Sequence, residues 1–203
     1  NHSGDWRPPA TLKFKSLSAS RIEPRNDTNP RNYKNMIATM KDLLGEQIRD
    51  LYDAENRIIE ALPKMEAAAH DADLKKAFRE PLSETKDQVD RLAEACGILG
   101  ISPEGETCEA TKGLIAEGEE LIGQLSDPQV GDAALIAAAQ RIEHYEIASY
   151  GSAATFAKCI DEDRVAELLG HTLGEEKEAD GKLQKIATGG LFSSGVNKEA
   201  AHR

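Results

Sequence analysis

The sequence predicts an all-α protein: a four-helix bundle with a long crossover that carries a short extra helix. Three observations predict it. From Met36 onward Ala, Leu, Glu, Lys, Ile and Gln dominate and β-branched runs are absent, a composition that favours helix. Apolar residues recur three and four positions apart over long spans, which is the period of one helical face. Breaks then divide this region into two long hairpins joined by a connection of about thirty residues, which an up-down-up-down bundle would not need.

The first 35 residues stand apart. They carry seven Lys or Arg, only three Asp or Glu, and four of the eight prolines, Pro8, Pro9, Pro24 and Pro30. No apolar period runs through them, and their hydrophobicity is too low to offset the entropy lost on ordering. Residues 1–35 are therefore expected to be a basic, proline-containing extension, flexible or loosely docked. Numbering opens at Asn1 whereas Met36 opens the helical pattern, so a native start near Met36 is a further expectation.

The bundle is expected over residues 36–188. Helix A reads from about Ile37 to His70 through Leu44, Ile48, Leu51, Ile58 and Leu62, with Pro63 marking a kink because it has no backbone donor. Helix B reads from about Ala72 to Leu99 through Leu74, Phe78, Leu82, Val89, Leu92 and Cys96, and Gly100 with Pro103 ends it. Pro81 falls awkwardly inside it. The crossover helix reads from about Cys108 to Leu125, bears Leu114, Ile115, Leu121 and Ile122, and is closed by Asp127 and Pro128. Helix C follows from about Gly131 to Cys159 and helix D from about Glu162 to Ala187. After Gly189 and Gly190, residues 189–203 read as a polar C-terminal tail.

Charge narrows the function classes. The 203 residues include 36 acidic and 25 basic side chains, a net charge of −11, which argues against a phosphate-neutralising nucleic-acid binder. No stretch approaches the roughly 20 consecutive apolar residues of a membrane span, and none resembles a secretory signal. Neither nucleic acid nor membrane is an expected partner, and the chain reads as soluble. Cys96, Cys108 and Cys159 are an odd number without a CxxC pair, which fits neither a disulfide framework nor a zinc knuckle. A reducing cytoplasm is the expected location.

Charged residues inside the apolar stripes carry the functional information. On helix A, Leu44, Ile48 and Leu51 lead to Glu55 and then to Ile58 and Leu62. On helix C, Glu146 interrupts the series Leu135, Ala139, Ile142, Ser149, Ala153 and Phe156, with Glu143 three residues before it on the same side. On helix D, Glu176 interrupts Val165, Leu169, Thr172, Ala179, Leu183 and Ile186, with Asp180 one turn on. Helix B places Glu84 and Gln88 at the edge of its stripe. Glu55 precedes Glu84 by 29 residues and Glu146 precedes Glu176 by 30, while Gln88 and Asp180 each lie four further on. The two hairpins thus read as a divergent internal duplication with acidic positions at matching heights.

Carboxylates converging in an apolar core repel one another and lose hydration at a cost of several kcal/mol per ion. Buried cations, protonation, or one or two metal ions compensate such a set. The middle stripes of helices A, C and D offer no cation, since Arg141, Lys158 and Lys177 fall off-face. A single buried Glu is commonplace as a hydrogen-bonded residue whereas a matched set is not, which favours metal.

Five segments, DLYDAENRIIEALPKM (Asp50 to Met65), ETKDQVDRL (Glu84 to Leu92), CEATKGLIAEGEELI (Cys108 to Ile122), DAALIAAAQRIEHYEIASYG (Asp132 to Gly151) and HTLGEEKEAD (His171 to Asp180), carry a resemblance. From about Met36 to Ala187 the chain resembles the YciF-type ferritin-like stress proteins of bacteria. The resemblance implies a ferritin-like bundle, a homodimer, stress induction and a dinuclear iron or manganese centre. Carried over by position from the wider ferritin-like superfamily, rubrerythrins included, it implies Glu55, Glu84, Glu143, Glu146 and Glu176 as metal ligands. Asp180 stands where a rubrerythrin-like protein has histidine, and Gln88 is nearest to the other histidine position, with Asp87 a less well-placed neighbour. An oxygen-rich site without imidazole favours harder divalent or trivalent ions and weakens the case for an efficient Fe(II) and O₂ oxidase.

The remaining candidates carry plainer readings. His144 points about 160° away from Glu146 on a helical wheel, which suits a hydrogen bond or an interface rather than ligation. His70 and His171 read as surface or helix-end residues. Tyr52, Tyr145 and Tyr150 read as packed side chains whose hydroxyls find partners. Cys108 reads as a helix start, and the run from Glu117 to Glu120 as a solvated face. Two functions follow: a di-metal protein handling O₂, peroxide or metal under stress, with oxidase- or peroxidase-type chemistry open, or a non-catalytic protective protein whose acidic core is metal-stabilised or metal-free.

Overall fold

Helix-forming composition and local caps set the element boundaries in the computed structural model, which describes residues 37–190 and 194–202. The extension and the start expected over residues 1–36 lie outside the described residues. The described elements are α1 (Met40–Ala68), α2 (Ala72–Arg79), α3 (Pro81–Leu99), α4 (Glu109–Gly123), α5 (Pro128–Cys159), α6 (Asp163–Thr188) and α7 (Val196–Ala200). Thr39 opens α1 with a reciprocal capping box: its hydroxyl accepts from the Asp42 N–H at 3.1 Å while Asp42 accepts the Thr39 N–H at 2.9 Å. Gly100 closes α3 in the left-handed region at φ 72°, where a side chain would be strained.

The single helix expected from Ala72 to Leu99 is two helices. Pro81 has no N–H to continue the ladder and its ring crowds the preceding turn, so α2 ends at Arg79 and Pro81 becomes the first residue of α3. Pro63, by contrast, lies inside α1, which continues to Ala68. Beyond the expected end of the bundle, α7 returns to it and Val196 is buried among the apolar residues there.

Helices α1, α3, α6 and α5 form a ring in which each packs on the next, so α1 and α6 face one another diagonally. The crossover helix α4 lies against α5 and α1, and at Gly118 a Cβ would come within 3.3 Å of Ala138 Cβ. Asp53 of α1 fixes the start of α4 by accepting the Cys108 N–H at 2.7 Å. Cys108 in turn caps α4 through its sulfur, which accepts from the Thr111 N–H at 3.4 Å, and its thiol donates to the Tyr145 hydroxyl at 3.1 Å.

Two apolar clusters fill the ring. One joins Leu44, Ile48, Leu51, Leu92, Val165 and Leu169; the other joins Ile58, Leu62, Leu74, Phe78, Leu135 and Leu183. Each fully buried Leu or Ile contributes roughly 1.5–3 kcal/mol through area removed from water. Along every long helix the two clusters are separated by one stretch, and the buried polar residues Glu55, Gln88, Glu146 and Glu176 lie there.

A fourth buried carboxylate, Asp132 of α5, serves the fold. It is 2% exposed and accepts the His70 and Asp71 N–H groups at 2.7 and 2.8 Å, which holds the α1–α2 connection against α5. Asp132→Ala leaves two backbone donors without acceptors and is expected to lower unfolding free energy by about 1–3 kcal/mol. Urea denaturation checks this, and an unchanged midpoint would contradict the role.

Candidate metal centre

Two helices bring three carboxylates to one point. One oxygen each from Glu143 and Glu146 of α5 and Glu176 of α6 lie within 4.8 Å of one another. Glu143 and Glu146 share a face because three residues span nearly one turn, and α6 packs along that face of α5. Glu55 of α1 closes the set from the neighbouring helix. It is 1% exposed, accepts a hydrogen bond from the Tyr150 hydroxyl and faces Glu146. Glu84 and Gln88 of α3 line the same cavity, which is about 50 Å³ and is walled on its other side by Ile58, Leu62, Phe78, Ile142 and Leu183.

Burial dominates the electrostatics. It pushes the Glu143 carboxyl up to about 7, with the charges of Glu55, Asp180 and Glu84 adding to the rise and a hydrogen bond shared with Glu176 opposing it. It pushes Glu176 up to about 9, helped by the charge of Glu143. Burial also raises Glu55 and Glu146 well above the ordinary carboxylate range, and their neighbouring carboxylates add to it. Tyr150 is raised in the same way, by burial and then by Glu55, so it stays a donor. Without a cation, therefore, burial and the neighbouring carboxylates favour the protonated form of this layer.

The fit to a metal ion rests on two orphaned oxygens. Glu146 Oε1 and Glu143 Oε2 are buried with no hydrogen-bond donor, and the groups that face them are the carboxyls of Glu55 and Glu176. An oxygen facing another carboxyl is satisfied by a proton between them, by a water or by a cation, and a cation neutralises several such oxygens at once. Oxygens on one ion with bonds of about 2.0–2.6 Å lie within about 5 Å of each other, which the spacing of Glu143, Glu146 and Glu176 meets. The donor set is all oxygen, so the residues fit a hard ion.

Of the six residues singled out in the sequence, Glu143, Glu146 and Glu176 converge, Glu55 joins them, and Glu84 contributes its charge from the cavity wall. Asp180 is turned outward: it accepts from the Gln140 amide at 2.9 Å and lies 3.4 Å from His144 Nε2. Gln88 does face the centre, donating to Glu176 at 2.6 Å.

Sequence reasoning missed two residues. Arg91 of α3 pairs with Glu175, donates to the Thr172 hydroxyl at 3.0 Å, and its charge pulls Glu55 downward. Glu175 also accepts from Gln88 at 3.1 Å. A signal for Arg91 was present, since Glu84, Gln88 and Arg91 recur four and three apart on one face of helix B. Glu175 had no such signal, because it lies about 100° from Glu176 on the wheel.

Comparison with known proteins places the chain. Residues 39–201 match the family described as a domain of unknown function, DUF892. Protein YciF of Escherichia coli strain K12 is 39% identical over 168 residues, 82% of this chain and 98% of the relative. Among solved structures, YcfI from Rhodopseudomonas palustris shares 42% identity at a TM-score of 0.73, covering 76% of this chain and 98% of that one. The E. coli stress protein YciF matches with 39% identity and a TM-score of 0.71, covering 74% and 95%.

Proposed function

The chain belongs to the DUF892 family, and from that premise we propose that it is a stress-response protein whose ferritin-like bundle holds metal in its central carboxylate layer. The observation that carries this reading is the orphaned Glu146 oxygen, buried opposite another carboxyl and beside the Glu143 and Glu176 oxygens. Glu55, Glu143, Glu146 and Glu176 would bind the metal, Glu84 would add charge from the cavity wall, and Asp180 would add charge from beside Glu143. Two ions, iron or manganese, are the proposed loading. When bound, such ions supply redox chemistry toward O₂ or peroxide. The chain's own part is to converge the carboxylates, to hold Glu55 through the Tyr150 hydroxyl, and to limit water with the apolar wall of Ile58, Leu62, Phe78, Ile142 and Leu183. The E. coli relative is described as a stress protein, which supports the stress assignment.

A homodimer is part of the same reading, as is a reducing cytoplasm, which the free cysteines Cys96, Cys108 and Cys159 support. No helix among the described residues is long and apolar enough to cross a membrane.

A second reading has its own support. The raised carboxyls of Glu55, Glu146 and Glu176 let protons alone neutralise the layer, and the R. palustris relative is described in structural terms. On that reading the bundle is a non-catalytic protective protein with a metal-free core. Plasma mass spectrometry after aerobic reconstitution with Fe(II) and Mn(II) decides between them. The metal reading expects about two equivalents, lost in Glu146→Ala/Glu176→Ala. Absence of metal in both proteins would overturn it.

A further inference from the structure

Glu175 is a carboxylate at the edge of the central layer that the layer does not use. It follows Glu176 on α6, yet it lines the same cavity as Glu55, Glu143, Glu146 and Glu176. The Gln88 amide nitrogen touches both carboxylates, Glu176 at 2.6 Å and Glu175 at 3.1 Å. Glu175 is drawn outward instead. Its Oε2 pairs with the Arg91 guanidinium and its Oε1 lies 3.4 Å from His171 Nδ1. Arg91 is itself fixed, since its Nε donates to the Thr172 hydroxyl at 3.0 Å. Both partners of the Arg91–Glu175 pair are largely buried, with side chains 18% exposed.

We propose that Glu175 is a latent metal ligand and that Arg91 is the positioning residue that withholds it, so that the Arg91–Glu175 pair limits how tightly the centre takes up a divalent cation. The inference rests on the metal reading above. A guanidinium keeps its charge at all physiological pH and its fork holds a carboxylate in a fixed geometry. The pair is therefore largely self-neutralising, and the charge of Arg91, felt at Glu55, offsets the charge that Glu175 adds beside Glu176. Releasing it would place one more anionic oxygen ligand beside Glu176, and cation affinity rises with the number of charged ligands. Gln88 stands between the two carboxylates as a neutral spacer and keeps Glu176 aimed inward.

The test is calorimetric titration of the full, metal-stripped chain with manganese(II) chloride, with circular dichroism confirming the fold of each variant. Arg91→Met is expected to bind Mn(II) at least about tenfold more tightly than the parent. Arg91→Met/Glu175→Gln is expected to return to parental affinity. A double variant as tight as Arg91→Met would overturn the proposal, because Arg91 would then act only as a repelling charge. Parental affinity in Arg91→Met would also overturn it, while Glu146-dependent binding by the parent would leave the metal reading standing. Absence of Mn(II) binding in every protein would overturn both.

Glu175→Gln alone keeps the test decisive if Arg91→Met does not fold. With its carboxylate gone, Arg91 is expected to turn to Glu176 and weaken Mn(II) binding about tenfold. Unchanged affinity in that variant would count against the proposal.

Discussion

Replacing Glu146 with glutamine is expected to raise the melting temperature of the metal-free protein by several degrees, and to abolish the further rise that manganese gives the parent. The reason is the cost of carrying a proton. Glu146 is 2% exposed and its carboxyl is held well above the ordinary range by burial and by Glu55, Glu176 and Glu143. At neutral pH the unfolded chain carries this group ionised, so folding must take up a proton against a normal value of 4.5. At pH 7 that costs on the order of 3 kcal/mol. Glutamine has the same shape and no proton to acquire, and its amide donates to Glu55, which faces it. In a domain of this size, each kcal/mol moves the melting temperature by about 2–4 °C. The metal-dependent rise disappears because one of the two orphaned oxygens has been replaced. Differential scanning calorimetry with chelator and with Mn(II) reads both effects. A variant that still rises with Mn(II) would place the ion elsewhere.

The elements that one helix at a time can encode were legible in the sequence. The stripes of α1, α5 and α6 each broke at one carboxylate, and Glu55, Glu146 and Glu176 are all buried in the described structure. Glu143 was legible from its spacing to Glu146. What a helical wheel does not carry is the partner across the gap. Arg91 and Glu175 lie on different helices, 84 residues apart, and no periodicity within α3 or α6 announces their pairing. Asp180 shows the converse. Its register matches Gln88 in the repeated hairpin, yet Gln140 and His144 of α5 draw it outward. Register predicts height along a bundle, while rotation about the helix is set by neighbours. Pro81 was visible as an anomaly, and its consequence, a helix that stops and restarts, follows from the missing donor.

The metal-free protein is expected to lose stability as pH rises from about 5 to 9, and bound metal is expected to reverse that slope. A carboxyl whose folded value is raised contributes stability that is fully present below its unfolded value and is lost as pH rises through its folded value. For Glu143 the loss runs from 4.5 to about 7, and for Glu176 from 4.5 to about 9. Glu55 and Glu146 are shifted the same way and add to the same slope. Groups shifted in other ways act outside this window. Asp53, where burial opposes but the hydrogen bonds from Arg57 and Cys108 prevail, is held below 3.8, so its contribution is lost only in stronger acid. Burial raises the Cys96 thiol above 9.0, so its effect begins only in stronger base. Between these limits the buried layer dominates, and the fall is expected to reach a few kcal/mol. A metal ion binds the deprotonated oxygens and expels the protons, so its affinity grows with pH over the same interval. Urea denaturation at about pH 5, 7 and 9, with chelator and with Mn(II), separates the two states. Metal-free stability that stays level or climbs across that range would mean that these carboxyls are not held protonated, and would remove the electrostatic basis for reading the layer as a cation site.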